Sequence, residues 1–510
     1  MDRWTDGPIL RREWSSYAAV VLFAAISFFY RLGAIPITSP NEGLYAETAR
    51  EMLETRDRII PRANGVVYLE KPPLLYWASA WSMRLFGQNA LGARFPSALA
   101  ALATALVLAA AGRRFGPAGA GIFSGAAFAT SLGVVIVARQ VLFDSLLTLW
   151  IAVALLAFWF GTDPGARRSP RSRLLIVVGY AALALAVLTK GLVGLALPAL
   201  TLAAYLVIAR DAGRWRAAWS PAGLAVFLAL VLPWHVAAAV AQKRFAWFYF
   251  VNEHWLRFLG RRQPADFHED PIFSPALSLV LLALPWGVFL PAAVRSELAA
   301  SRDRDSATPA GPRLSPETVF LLCWAAVPAL FFTVSRTRTY YYQLPSVPAL
   351  SLLVGRLWAR RARAGPLLPD RGWVLAPATG LAAAAAAAWI FARFGAWGSM
   401  RNAAWHALGY ACGAWFAAGL AAAAALIAAR RERIAFATIA VTVLATVAAA
   451  VRFAAASGLP VFRSEASAAR QILEMEPPPG TRVAVEGKFE NHSSLAFYLP
   501  RRLRPLPRLP

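Results

Sequence analysis

The chain has 510 residues, of which 58% are hydrophobic and only 15% charged, and its formal net charge is +25. Soluble domains usually carry about 25% charged residues, so this composition, with a mean hydropathy of +0.50, excludes an ordinary soluble enzyme and points to a polytopic membrane protein. A soluble chain this basic would suggest nucleic acid. Here the arginines gather in short loops between apolar runs, which span orientation and anionic lipid explain instead.

No small-x-small cleavage site follows the first apolar run, so it reads as a retained anchor. Ala-rich runs of about 20 residues then recur, each long enough to cross a hydrocarbon core. They predict an all-α architecture with about thirteen transmembrane helices, near 16–34, 92–112, 116–138, 142–161, 173–189, 191–209, 221–241, 273–296, 316–335, 340–358, 373–394, 404–429 and 434–455. Arginine clusters such as Arg113 and Arg114, Arg171 and Arg173, and Arg360, Arg361 and Arg363 fall in alternate loops. The positive-inside rule makes that side cytoplasmic, with the N-terminus cytoplasmic and the C-terminus extracytoplasmic.

Two outer loops break this pattern. The first, 35–91, is crowded with charge. In it Ser39-Pro40-Asn41-Glu42 reads as a capping box with proline at the first helical position. Tyr45, Ala49, Met52 and Leu53 then form one apolar stripe, which predicts a short amphipathic helix lying on the membrane surface. Asn64-Gly65 marks a turn, and Pro72-Pro73 precedes a second interfacial helix carrying Trp77 and Trp81. The second loop, 242–271, holds Lys243, Arg244, Arg257, Arg261 and Arg262 on the unexpected side. A bound anion explains them, and so does the weak hold of the rule on long loops. Residues 1–456 are thus a transmembrane domain. In the polar stretch 457–510, SEASAARQILEM predicts a helix, and RVAVEG and SLAFYL short strands, making a small αβ appendage.

Ionisable groups at or in a membrane are expensive, which makes each a candidate for function. Asp144, at the outer end of the fourth span, is either catalytic or the partner of Arg139 or Lys190. Glu42 is either a helix cap or an active-site acid. Glu70-Lys71-Pro72-Pro73 puts opposite charges on a backbone stiffened by proline. Lys71 suits a phosphate and Glu70 a metal, unless the pair is a solvated loop bridge. His254 could share a divalent metal with Glu70, or be a partly buried interfacial histidine. Arg338 and Tyr342, in SRTRTYYY, either grip a phosphate or form an aromatic belt with snorkelling arginines. Cys323 and Cys412 lie inside apolar runs without metal-ligand spacing. There is no Gly-rich nucleotide loop, and no nucleotide cofactor is expected.

The motifs NEGLYAETAREML, VYLEKPPLLYW, GARFPSALAAL, LFDSLLTLW, LTKGLVGLALP, NEHWLRF and YYYQLPSVPALSLL occur in an order that resembles the bacterial aminoarabinose transferases of lipid A. These lie within the wider protein O-mannosyltransferase superfamily, and the resemblance spans roughly residues 15 to 360. It implies a GT-C glycosyltransferase fold. It also implies transfer of a sugar from a polyprenyl-phosphate donor to a lipid or protein acceptor, on the outer face of a bacterial inner membrane. By the same resemblance the catalytic carboxylates fall at the Asn41-Glu42 pair and Asp144. The donor phosphate falls to Lys71, Arg257, Arg338 and Tyr342, and a metal to Glu70 and His254. One departure matters. The family's first acid is Asn41 here, and an amide cannot take a proton as a base. Two other readings follow: a transporter or lipid flippase, which should show inverted repeats and mid-span charges, or an inactive relative that only binds polyprenyl phosphate.

Overall fold

The computed structural model describes residues 7–166, 169–265, 271–305, 314–364, 403–456, 464–476, 478, 481, 483–499 and 503–506. Helix α1 (Gly7–Phe29) is followed by α2 (Asn41–Thr55), α3 (Leu74–Phe86), α4 (Ala90–Phe115), α5 (Ala120–Ala129), α6 (Leu132–Ala138), α7 (Phe143–Gly161), α8 (Pro170–Lys190) and α9 (Val193–Ala209). Among the described residues seven helices are long and apolar enough to cross a membrane. Two further spans arise if each of two bent pairs counts as one. Tyr17–Phe29 and Val193–Ala209 are shorter apolar helices.

Among the described residues, two of the runs expected as single spans are bent. The run 116–138 breaks by 59° between α5 and α6, and 273–296 breaks by 102° between Ser274–Leu282 and Trp286–Ser301. The two breaks meet. Leu132 N donates to the Leu284 carbonyl at 2.7 Å, and Trp286 Nε1 donates to Thr130 Oγ1 at 3.0 Å. Backbone freed by a break at membrane depth needs such a partner, and each break supplies one to the other. The run 340–358 opens as a 3₁₀ turn, Tyr340–Ser346, before the helix Val347–Ala364. The predicted span at 373–394 lies outside the described residues.

The amphipathic helix expected on the membrane surface is instead an interior one. Glu42 through Met52 of α2 are all buried, between α3 and a C-terminal helix, Ser493–Tyr498. Its charges survive burial by pairing along the helix: Arg50 lies 2.7 Å from Glu47 and 2.6 Å from Glu54. Gly43 makes the close approach possible, because a Cβ there would sit 2.5 Å from the Ser494 amide nitrogen. The predicted turn does form. Asn64 (φ 53°) and Gly65 (φ 78°) join β1 (Arg62–Ala63) to β2 (Val66–Val67), with both turn residues at positive φ as a tight hairpin needs.

The C-terminal segment is not a free appendage. The strand expected from RVAVEG is β3 (Val483–Glu486), which pairs in parallel with β4 (Leu503–Leu506). SLAFYL is a helix rather than a strand. It packs Leu495, Ala496 and Leu499 into a small core with Ala469 and Val485. Several hydrogen bonds hold this unit to the first outer loop. Asn64 exchanges two 2.8 Å hydrogen bonds with the Leu503 backbone. The Ser494 amide donates to Ser39 Oγ at 2.9 Å, and the Ile37 amide donates to Tyr498 Oη at 2.8 Å.

Candidate active site

Helices α7 and α8 are antiparallel neighbours, so Asp144, at the start of one, and Lys190, at the end of the other, reach the same level. Lys190 Nζ lies 2.6 Å from Asp144 Oδ1. The basic residues Arg171 and Arg173 open α8, about 30 Å away at 1.5 Å rise per residue, on the opposite side. Tyr45, Tyr76 and Phe143 fix the head of α7. Their rings meet edge to face at 4.8 Å and 5.3 Å.

Above this pair lies a cavity of about 790 Å³. Its lining brings together Asn41, Glu70, Lys71, Asp144, Lys190, Arg257 and Tyr342, which are far apart in the chain. Tyr45, Tyr341 and the C-terminal residues Gly487, Lys488, Glu490 and Asn491 complete its walls. Asn41 Nδ2 donates to Tyr341 Oη at 3.1 Å. Lys190 Nζ sits 4.1 Å above the Tyr342 ring. Asp144 is thus both the ion-pair partner of Lys190 and a cavity residue.

One wall is a charge network. The chain winds as a π-helix from Trp247 to Leu256, a geometry that often marks functional sites. It carries Glu253, whose carboxylate accepts from Arg257 Nη1 at 2.8 Å and from Arg262 Nε, with Lys71 Nζ at 3.7 Å. Glu70 accepts from Arg262 Nη2 and, at 3.0 Å, from Tyr68 Oη. Burial pushes Glu253 up, but Lys71, Arg257 and Arg262 outweigh it and hold the carboxyl below its ordinary range. Among the described residues the cluster gathers Lys71, Arg257 and Arg262 beside Glu70 and Glu253.

A second, mostly apolar groove of about 400 Å³ runs from this wall between Phe250, Trp255, Phe258, Phe331 and Phe332. Glu70, Lys71, Lys190, Arg257, Thr337 and Tyr342 line both spaces. Cations therefore stand where a polar chamber meets an apolar channel.

Three residues named from the sequence make other contacts in this structure. Glu42 is not in the cavity lining. Its oxygens accept from Arg94 Nε (2.7 Å) and Nη2 (2.9 Å), from the Thr38 amide and hydroxyl (3.0 and 2.9 Å), and from the Val141 amide (3.2 Å). So saturated an acid is a structural anchor, and the partner is Arg94 rather than a Ser39 capping box. Arg338 turns away, donating to the Thr333 carbonyl at 3.2 Å, while its neighbours Thr337 and Thr339 line the cavity. His254 lines the apolar groove together with Glu70. Its Nδ1 faces the Tyr249 carbonyl at 2.5 Å and its Nε2 accepts from the Leu192 amide at 3.0 Å. Gly191, at φ 78°, permits that contact, since a Cβ there would fall 2.1 Å from His254 Nε2. Burial lowers the His254 pKa to about 4. Among the described residues no group of three or more His, Cys, Asp or Glu side chains is placed to hold a metal ion.

The sequence marks Lys190 as an ion-pair partner and Arg262 as one of several loop cations, but gives no role to Arg94 and none to Tyr341 apart from its run. Lys190 had a signal, a lone lysine closing the second of two apolar runs that follow Asp144. Arg94 in GARFPSALAAL had none beyond its place in a membrane-grade run.

Residues 70–236 match the family model described as dolichyl-phosphate-mannose-protein mannosyltransferase. The undecaprenyl phosphate-alpha-4-amino-4-deoxy-L-arabinose arabinosyl transferase of Pseudomonas aeruginosa (strain UCBPP-PA14) is 31% identical over 372 residues, 71% of this chain and 62% of that protein. The enzyme of the same name from Enterobacter sp. (strain 638) is 29% identical over 365 residues, 71% of this chain and 63% of that protein. The alignments thus span less than two thirds of these relatives' own length. Among solved structures, ArnT from Cupriavidus metallidurans bound to undecaprenyl phosphate superposes with a TM-score of 0.80 at 27% identity, covering 96% of this chain and 85% of that one.

Proposed function

From the premise that this chain is an aminoarabinose transferase-like membrane protein of the GT-C fold, we propose that it moves a sugar from a polyprenyl-phosphate donor to a lipid or protein acceptor. The reaction takes place on the outer face of a bacterial inner membrane, with the N-terminus cytoplasmic and the C-terminus outside. The observation that carries this reading is the row of cations at the junction of the two spaces. An amphiphile with a phosphate head and an isoprenoid tail matches it in both parts. The arginine-rich ends on the opposite side support the orientation.

In this reading Lys71 and Arg257, with Tyr342 beside them, hold the donor phosphate, and the tail lies among the groove phenylalanines. The acceptor oxygen enters the larger chamber and attacks the anomeric carbon from the face opposite the phosphate. A bond forms from that oxygen to carbon, the carbon–phosphate-oxygen bond breaks, and the phosphomonoester leaves with the electron pair. Lys71 and Arg257 stabilise its growing charge. Asp144 orients the acceptor or takes its proton, Lys190 holds the carboxylate in place, and Asn41 positions through Tyr341 rather than acting as a base. No step is routed through a metal. Comparing envelope glycolipids and glycoproteins by mass spectrometry, with and without the gene for this chain, tests the proposal. A sugar-sized mass that disappears with the gene supports it, and identical profiles oppose it.

The site also predicts a pH dependence. Burial, and then Arg257, lower the Lys71 pKa to about 8. The ammonium is the form that attracts phosphate. Affinity of the free protein for undecaprenyl phosphate should therefore fall as pH rises through about 8. Lys71→Arg, which stays charged, should flatten the titration. Equal wild-type affinity from about pH 6.5 to 9.5 removes Lys71 from the phosphate site.

A further inference from the structure

One wall of the central cavity belongs to the C-terminal unit, through Gly487, Lys488, Glu490 and Asn491. The turn carrying them ends on His492, and both nitrogens of that ring face acceptors. Nδ1 lies 2.6 Å from Glu465 Oε1, and Nε2 lies 2.9 Å from the Glu486 carbonyl oxygen. Neutral imidazole has one N–H and can satisfy one of them. Only the imidazolium donates to both.

Glu465 passes the contact on. Its Oε2 accepts from Ser494 Oγ at 3.3 Å, and its amide donates to the same hydroxyl oxygen at 3.1 Å. Ser39 Oγ donates to Ser494 Oγ at 3.0 Å. Ser39 leads directly into Pro40 and Asn41, which also line the cavity, and Ser493 Oγ donates to the Pro40 carbonyl at 2.7 Å. A chain of hydrogen bonds therefore runs from His492 to both rims of the chamber.

We propose that His492 is a positioning residue: as the imidazolium it clamps the 487–491 wall to Glu465 and, through Ser494 and Ser39, to the Pro40–Asn41 rim, and its deprotonation releases that wall. The clamp would make access to the chamber depend on the pH of the compartment that bathes the C-terminal unit. This consequence for transfer rests on the glycosyltransferase reading; the clamp itself does not.

Among the charged groups on the surrounding segments, Glu465 favours the cation. Glu465 precedes the helix Ala466–Glu474, which carries Arg470 and Glu474 further along. Glu486 lies on β3, and Lys488 and Glu490 on the same turn as His492. On α2, Glu42 is already neutralised by Arg94, and Tyr498 accepts from Ile37. Burial works against the imidazolium, but the bond to Glu465 and the Glu486 carbonyl outweigh it and lift the pKa above its ordinary value. The folded value being the higher one, the clamp is complete below about pH 6.5, the unperturbed histidine value. It is lost as pH rises through the raised pKa.

Hydrogen exchange of the full chain in detergent micelles tests this, with rates corrected for the intrinsic pH dependence. Protection of peptides covering 484–492 should drop by about tenfold or more from pH 5.5 to 8.5, as for one lost charge-assisted hydrogen bond. His492→Arg, permanently charged and rich in donors, should stay protected throughout, and His492→Asn should be open throughout. Glu465→Gln should move the midpoint to lower pH, which keeps the test decisive if a His492 variant misfolds. Wild-type protection that ignores pH, or an unchanged profile in His492→Asn, overturns the proposal. The readout needs neither donor nor acceptor, so its failure is separable from failure of the transferase reading.

Discussion

Asp144→Asn is expected to lower sugar transfer by about 10²–10⁴-fold, the range a positioned acid or base contributes. Asp144 is 2% exposed, faces the chamber, and has Oδ1 tied to Lys190. That leaves Oδ2 as the carboxylate oxygen for an acceptor. The other acids near the chamber are less suited. Glu42 is saturated by five hydrogen bonds, Glu70 is held by Arg262 and Tyr68, and Glu490 sits on the C-terminal wall. Asparagine keeps the shape and a bond partner but gives up the charge, so single-turnover kinetics should show slower chemistry with donor affinity little changed. Asn41→Asp provides the contrast. A carboxylate there can accept from Tyr341, so the fold tolerates it, and the rate should change only modestly. A large gain in Asn41→Asp, with Asp144→Asn still active, would move the catalytic role to position 41.

Arg94→Ala is expected to destabilise the protein by about 3–5 kcal/mol, the cost of stranding a buried charge. Arg94 is 4% exposed and Glu42 3%. The guanidinium binds both Glu42 oxygens and also donates to the carbonyls of Leu32, Ile35 and Pro36. It thus ties the end of α1, the head of α2 and α4 together below the chamber. Thermal unfolding in detergent should show the loss. Glu42→Gln in the Arg94→Ala background should recover part of it, because the stranded charge is then gone. A transition within experimental error of wild type in Arg94→Ala would show that this ion pair contributes little.

Much of the architecture was legible because hydropathy depends on local composition alone. The long spans, the Asn64-Gly65 turn and the helix 466–474 follow from runs, turn residues and periodicity read one stretch at a time. The bent spans were not legible: α5 and α6 break where Thr130 and Leu132 find partners on a segment 150 residues away. The buried state of α2 was hidden for a similar reason. Its apolar stripe fits a membrane surface as well as a protein interior, and only Gly43 hinted at a close neighbour. Site residues carried more signal when they sat in short charged motifs. Lys71, Asp144 and Arg257 do meet, whereas Glu42 and Arg338 sit beside cavity residues and face elsewhere. Sequence adjacency fixes a neighbourhood to within a few ångströms, but the face of a helix or turn decides what a side chain touches.

The proposed transfer requires the row of cations shared by the two spaces to hold a polyprenyl phosphate while its sugar moves. The direct test gives purified full-length protein an undecaprenyl-phosphate donor with a radiolabelled sugar, together with bacterial envelope lipid and protein fractions. The account predicts label in one acceptor fraction, release of undecaprenyl phosphate in equal amount, and loss of both in Lys71→Ala and Asp144→Asn. Folded protein that transfers no label to any fraction, or Lys71→Ala and Asp144→Asn variants that transfer it as fast as wild type, would contradict it.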